Sequence, residues 1–209
     1  MKEGKTSEQA IISAAEKEFL EKGFAAAKTT NIAAKAGVTH AMLHYYFRTK
    51  ENIFNKIYEQ KVEMLAKSVM TAFFNLQLPT IERIKKGIES HFDFLAANPS
   101  LPRFVINEII TNPERLQKLK TTIHLALKEV LQRIQDDLDA AAERGEIRHV
   151  NAIDLIFDAV SLNVFLFIMY PIATEILLPI YGSEKKMLEA RKAGNIQTLL
   201  NRLKPEVHK

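Results

Sequence analysis

Cysteine is absent from the 209-residue chain, which excludes a disulfide framework, a thiolate zinc site and a cysteine nucleophile. Glycine is scarce, and its seven copies form neither a dinucleotide-binding fingerprint nor a phosphate-binding loop. The opening MKEGKTSEQA lacks the apolar core of an export signal, so residence in the cytoplasm is expected. Long apolar runs are missing too. The stretch from Ala159 to Thr174 carries no charge, but it is shorter than the ~20 residues a spanning helix needs. Asp158, Pro171 and Glu175 bound or interrupt it, and no membrane partner is expected. A single Glu-x-x-His, Glu146 to His149, follows Gly145 in a turn, whereas a di-iron bundle needs two such motifs on long helices. No metal, no cofactor and no enzymatic activity are expected.

Acid is missing from one place in particular. From Lys22 to Lys50 there is no Asp or Glu, while Lys22, Lys28, Lys35, Arg48 and Lys50 all fall there with His40 and His44. The net charge of +4 says little by itself. A positive zone inside a mixed-charge chain is the footprint of a phosphate-binding surface.

The patterning that is present is helical throughout, which makes the chain all-α with about nine helices. Thr6 caps a first helix with apolar face Ile12, Ala15, Phe19 and Leu20, ended by Gly23 as a left-handed cap. Thr29 caps a short helix through Ala36, Gly37 closes it, and Thr39 caps another to Phe47. Thr49 caps a long helix with the stripe Phe54, Ile57, Tyr58, Leu65, Val69 and Phe73. Prolines punctuate the middle, and helices are expected at about 80–97, 102–111 and 114–144. Asn151 caps the next, reaching Tyr170 or beyond, and Ser183 starts the last, ending near Leu203. The expected division is an N-terminal DNA-binding unit, residues 1–50, riding rigidly on a helical body, residues 51–209.

Residues 32–51 read IAAKAGVTHAMLHYYFRTKE. Small Ala33 and Ala36 allow two helices to pack closely about the turn at Gly37, while Val38 and Leu43 plug the pair against the first helix. This is helix-turn-helix spacing, which sets the second helix in a major groove. A helical interaction module that binds no DNA could show a similar hairpin. The block also resembles the DNA-binding region of the TetR/AcrR family, strongly over residues 6–60 and weakly beyond. That resemblance implies a ligand-responsive repressor that binds a palindromic operator as a homodimer. Matched by position, Thr29, Tyr45, Tyr46 and Lys50 fall where family members touch phosphates. Thr30, His40, Ala41 and Met42 fall where they face base edges. His44 replaces the tyrosine usual after the recognition-helix leucine, and Lys28 stands where Ser or Thr is common. Lys50 at a helix start opposes the macrodipole, which argues for a phosphate partner. The tyrosines offer hydroxyl donors, and one of the adjacent pair should face inward.

The larger C-terminal region is expected to enclose a pocket for an apolar small-molecule effector, with Met64, His91, Phe92, His124 and Phe165 as candidate lining and Phe94 and Phe104 nearby. The helix from Asn151 to Tyr170 is apolar almost all round. One face holds Leu155, Leu162, Leu166 and Met169, the other Phe157, Val160, Val164 and Ile168. A helix with two apolar faces must bury both. The first face is expected to meet a symmetry mate, joined by Leu188, Ile196 and Leu199 of the last helix.

Overall fold

The computed structural model describes residues 6–73, 75 and 77–205, and the side chains of all of these except 68, 69, 72, 73 and 122–129. Among the described residues the chain forms α1 (Ser7–Ala26), α2 (Thr29–Ala36), α3 (His40–Phe47), α4 (Lys50–Phe73), α5 (Thr80–Ala97) and α6 (Leu101–Val105). A π-turn (Ile106–Ile110) leads into α7 (Pro113–Glu143), α8 (Ala152–Ile168), α9 (Tyr170–Tyr181) and α10 (Glu184–Leu203). The fold class is all-α, as expected. Val69 and Phe73 of the predicted α4 stripe, and the candidate pocket residue His124, have side chains outside the described set.

Side-chain caps set most of the helix starts. The hydroxyls of Thr6, Thr39, Thr49 and Ser183 accept from the amides of Gln9, Met42, Asn52 and Lys186 at 3.1–3.3 Å. Asn151 accepts from the Ile153 amide at 2.9 Å. Each bond satisfies a donor that the first turn cannot pair internally. Thr29 departs from this pattern. Lys28 holds the cap position of α2 without a side-chain bond, and the Thr29 hydroxyl goes elsewhere.

Three expected outlines change. Gly23 does have positive φ, 74°, but its ψ of 164° makes it an extended kink rather than a left-handed stop, and α1 continues to Ala26. The helix expected over 102–111 divides into α6 and the π-turn. The helix expected to reach Tyr170 or beyond breaks at Met169, and α9 leaves α8 at 86°. Pro171 explains the break, because proline is tolerated in a first turn and disrupts a continuing helix. No single described helix is long and apolar enough to cross a membrane.

Among the described residues, three hydrophobic clusters hold the molecule together. The first joins Ile11, Ala15, Phe19, Ile32, Leu43 and Phe47 to Ile53, Phe54 and Ile57 of α4 and to Ile109 of the π-turn. The core of the N-terminal unit therefore runs past residue 50. The second packs α5, α7, α8 and α10 through Ile84, Ile88, Leu138, Leu155, Ile196 and Leu199. The third gathers Phe92, Phe94, Leu95, Leu166 and Phe167.

Polar groups lock the end of α1 to the body. The Phe24 amide donates to Glu108 Oε1 at 2.9 Å. A Cβ on Gly23 would stand 2.9 Å from the same oxygen, so the kink and the absent side chain permit this approach. Arg115 donates to Glu51 at 2.9 and 3.2 Å, pairs with Glu108 at 3.3 Å, and lies 4.1 and 4.0 Å from the Phe24 and Phe54 rings. Such stacked, bidentate contacts suit a planar guanidinium.

Candidate nucleic-acid interface

Short α2 and α3 meet at Gly37, whose φ of 69° and ψ of 28° place it in the left-handed region that favours glycine. Leu43 and Phe47, four residues apart, turn into the first cluster and are buried. That leaves His40, Ala41, Met42, His44, Tyr45 and Tyr46 exposed on the rest of α3. The sequence expectation for the tyrosines does not hold, because neither is buried. Tyr45 is 82% exposed and Tyr46 41%, and their rings meet edge to face at 5.4 Å. The inward position of this turn is taken by Leu43 and Phe47 instead.

The candidate base readers are brought together with one candidate phosphate contact. His40 Nε2 lies 3.0 Å from Thr29 Oγ1, which ties α2 to the start of α3. The His40 ring also meets His44 edge to face at 4.6 Å. Thr30 is exposed beside them. Arg48, just past α3, has φ 55°, the one positive φ outside glycine among the described residues. A side chain held there is strained, and such strain clusters at functional positions.

Lys50 is engaged differently from the sequence expectation. Its Nζ donates to the carbonyls of Phe24, Ala27 and Ala25 at 2.7, 2.9 and 3.3 Å, and lies 4.5 Å from the Phe24 ring centroid. The charge that sits awkwardly at the start of α4 is placed favourably at the carbonyl end of α1, so the macrodipole argument for phosphate fails. The basic zone also shrinks. Glu18, fully buried, pairs with Lys22 at 2.8 Å and with Lys35 at 2.7 Å, and Glu21 takes Lys35 at 3.0 Å. Hydrogen bonds from the two lysines hold the Glu18 carboxyl down at about 2. Lys28 and Arg48 are left exposed, without an ion pair among the described residues. Neither was among the expected contacts. The positive φ of Arg48 is not visible in sequence, and the missing acids were those of α1.

The expected dimer face is largely spent inside one chain. Leu155, Leu166, Ile196 and Leu199 are buried, and Leu162 and Leu188 pack against the same clusters. Met169 is half-buried at the α8–α9 break. The uncovered face of α8 is the other one, with Phe157 65% exposed, Phe165 64% and Val160 also open. Phe165 therefore leaves the candidate pocket, as does Met64, 54% exposed on α4. Phe92 and Phe94 are packed core, and Phe104 packs against the first cluster. His91 is buried in a polar chain in which Asn163 Nδ2 donates to His91 Nδ1 at 3.2 Å and to the Ile88 carbonyl at 3.1 Å. Asn195 donates in turn to Asn163 Oδ1 at 2.9 Å. These residues form core rather than a lining. A cleft of about 900 Å³ opens between α4 and α7 beside Asn55, Tyr58, Val62, Pro113 and Gln117. The Tyr58 hydroxyl is buried there with no hydrogen-bond partner among the described residues, and burial raises its pKa.

Residues 11–57 match the family model described as bacterial regulatory proteins, tetR family. Residues 81–198 match the tetracyclin repressor-like C-terminal domain. The HTH-type transcriptional activator FasR of Mycolicibacterium smegmatis is 23% identical over 150 residues, covering 71% of this chain and 68% of that protein. A fatty acid metabolism regulator protein of Bacillus subtilis is 25% identical over 148 residues, 71% of this chain and 74% of its own. Among solved structures, the TetR family transcriptional regulator PfmR of Thermus thermophilus superposes with a TM-score of 0.68 at 21% identity, over 97% of this chain and 100% of that one.

Proposed function

The chain belongs to the TetR family of bacterial transcription regulators, and from that premise we propose that two copies hold a palindromic operator and release it when an apolar effector binds. It is a DNA-binding regulator and not an enzyme. The observation that carries the proposal is the two-sided α3. Its buried pair, Leu43 and Phe47, fixes the helix, so His40, Ala41, Met42 and Tyr45 are presented on a rigid support. In this reading Thr30, His40, Ala41 and Met42 face bases. Tyr45, Tyr46, Thr29 and His44 face the backbone, joined by Lys28 and Arg48. Lys50 acts from behind by holding the end of α1. Residues 1–50 serve as the reading head and residues 51–209 as the effector-binding and dimerising body, working in the cytoplasm.

The dimer contact is the outward face of α8, Phe157, Val160 and Phe165, continued by Ala193, Gly194 and Gln197 on α10. A Cβ on Gly194 would meet nothing within 4 Å, which leaves room for a partner helix to approach. The effector site is the cleft between α4 and α7, where the Tyr58 hydroxyl awaits a polar atom and Val62 and Pro113 supply apolar wall. The Bacillus subtilis relative named for fatty acid metabolism makes acyl compounds the first to test. Release follows if the ligand prefers the DNA-free form. The FasR relative is named an activator, so the sign of the output needs a reporter measurement.

Selection of bound duplexes from a random pool, followed by salt-titrated binding of the consensus, tests the reading. The expected consensus is an inverted repeat whose half-sites lie about one helical turn apart, roughly 34 Å, or a multiple. Enrichment of no sequence would overturn it.

A further inference from the structure

A second cavity, about 710 Å³, lies in the seam between the two units rather than inside the body. One wall is the end of α1, from Phe19 to Gly23. The other is α6 with the π-turn, closed at one end by Tyr170 and Pro171 at the α8–α9 bend. Ser100, Arg103 and Asn107 line it at the i, i+3, i+7 spacing that shares one helix face, with Phe104 among them. All three offer donors. None of their side chains has a hydrogen-bond or ion-pair partner among the described residues. The other ionisable lining groups do: Lys22 is paired with Glu18, Glu21 with Lys35, Glu108 with Arg115, and Tyr170 donates to Glu184. The π-turn begins within this wall, and such turns inside helices recur at functional sites.

We propose that this seam is a binding site for a small organic anion bearing an apolar group, its carboxylate or phosphate held by Arg103, Ser100 and Asn107 and its apolar end laid against Phe104 and Leu20. A guanidinium with flanking hydroxyl and amide donors recognises a planar or tetrahedral anion, and the two carboxylates of the same lining, Glu21 and Glu108, are already paired with Lys35 and Arg115. The site is distinct from the α4–α7 cleft. An occupant touches both units at once, and it sits beside Glu108, which holds the Phe24 amide at the end of α1. Drawing Asn107 toward a ligand acts on the next residue, and so on the bond that fixes the reading head.

Calorimetric titration of the DNA-free full-length protein tests the site with a matched set of eight-carbon probes: octanoate, octyl phosphate, octanol and octylamine. At least one anion should bind at one site per chain, more tightly than octanol or octylamine, and the tighter anion names the head group. Arg103→Ala, a change at an exposed residue, should weaken that anion about tenfold or more and leave octanol unchanged. Val62→Trp, which fills the other cleft, should leave the anion unaffected. Overturning results are no anion binding, anions no tighter than octanol, an Arg103→Ala variant equal to wild type, or binding abolished by Val62→Trp. The measurement needs no DNA. Only the link to operator release rests on the ligand-released repression proposed above, so that reading can fail while this site stands, or the reverse.

Discussion

Replacing Lys50 with methionine separates the structural role of this residue from the DNA contact expected of it. In the folded chain its ammonium makes two short hydrogen bonds, 2.7 and 2.9 Å, and a longer one of 3.3 Å, all to carbonyls at the end of α1. A hydrogen bond to a charged group contributes about 1.5–3 kcal/mol net. Ordering a lysine side chain costs up to about 2 kcal/mol, and water can reach part of this exposed turn, so the sum is smaller than two such bonds suggest. Methionine keeps most of the contact with the Phe24 ring and loses the donors. Lys50→Met should therefore lower stability by roughly 2 kcal/mol, or about 4–8 °C in Tm for a chain of this size. A surface lysine that touched only phosphate would change stability by no more than about 0.5 kcal/mol and would remove about two units, one per copy, from the log–log salt slope of operator binding by the dimer. Urea denaturation followed by circular dichroism and fluorescence anisotropy across a salt series supply the two readouts. A variant as stable as wild type, with a slope lower by about two, would refute the structural assignment and return Lys50 to the DNA.

His91 predicts a pH dependence. Burial lowers its pKa from 6.5 to about 4, and Asn163 donates to its Nδ1, so the neutral ring is the folded form. Between those values the unfolded chain binds the extra proton. This contribution is therefore complete above pH 6.5 and is lost as pH falls toward 4, by at most about 3 kcal/mol. His91→Gln should flatten denaturation midpoints between pH 6.5 and 5, and an unchanged pH profile would remove His91 from the account. Arg48→Gly should move stability and affinity in opposite directions. Relief of the positive φ should stabilise by roughly 1 kcal/mol, while loss of the cation from both copies should lower the salt slope by about two units. Equal slopes would take Arg48 off the contact surface. Phe165→Asp should leave a folded monomer by sedimentation, because the side chain is 64% exposed in one chain. Leu166→Asp, one residue on, should unfold it. A Phe165→Asp dimer would show that this face of α8 is not the interface.

How much the sequence could reveal depended on how far each signal reaches. A capping hydroxyl acts within one turn, and Thr6, Thr39, Thr49, Asn151 and Ser183 sit where their local spacing put them. Thr29 missed because a competing partner, His40, comes from another helix. The π-turn missed for a similar reason. Nothing in Ile106–Ile110 breaks helical periodicity, and the extra residue in that turn accompanies contacts of Glu108 with Phe24 and Arg115. On α8 the periodicity correctly gave two apolar faces but could not say which one turned inward. That choice belongs to α5 and α10, and the buried amide of Asn163 decides it. Its bonds to Ile88, His91 and Asn195 pull the Leu155–Leu166 side into the body and leave Phe157 and Phe165 outside. Asn163 is the lone amide in an otherwise apolar stretch, and a polar residue so placed must find partners or forfeit stability.

The basic zone carries a similar lesson for the DNA-binding site. Between Lys22 and Lys50 the sequence window holds only positive charge, but α1 folds back across it and supplies acid from outside the window. Glu18 is the informative residue, because it sits on the helix face that also carries Ile11, Ala15 and Phe19 into the core. A carboxylate buried at that position needs cations, and the nearest are Lys22 one turn on and Lys35 from α2. Two of the five cations are thereby committed to Glu18, Lys22 from within α1 and Lys35 by holding α2 against α1, and Lys50 is committed to ending α1. In the proposed complex what remains to meet phosphate is Lys28, next to the Thr29 that meets His40 at the start of α3, and Arg48 at the end of α3, both exposed. Two cations flanking a helix are better placed to straddle a groove than five spread along a window. The salt slope should accordingly reflect few phosphates per chain, fall with Lys28→Ala and Arg48→Ala, and ignore Lys35→Ala; a slope that drops by about two units in Lys35→Ala would show that the Glu18 pairing does not remove it from the DNA.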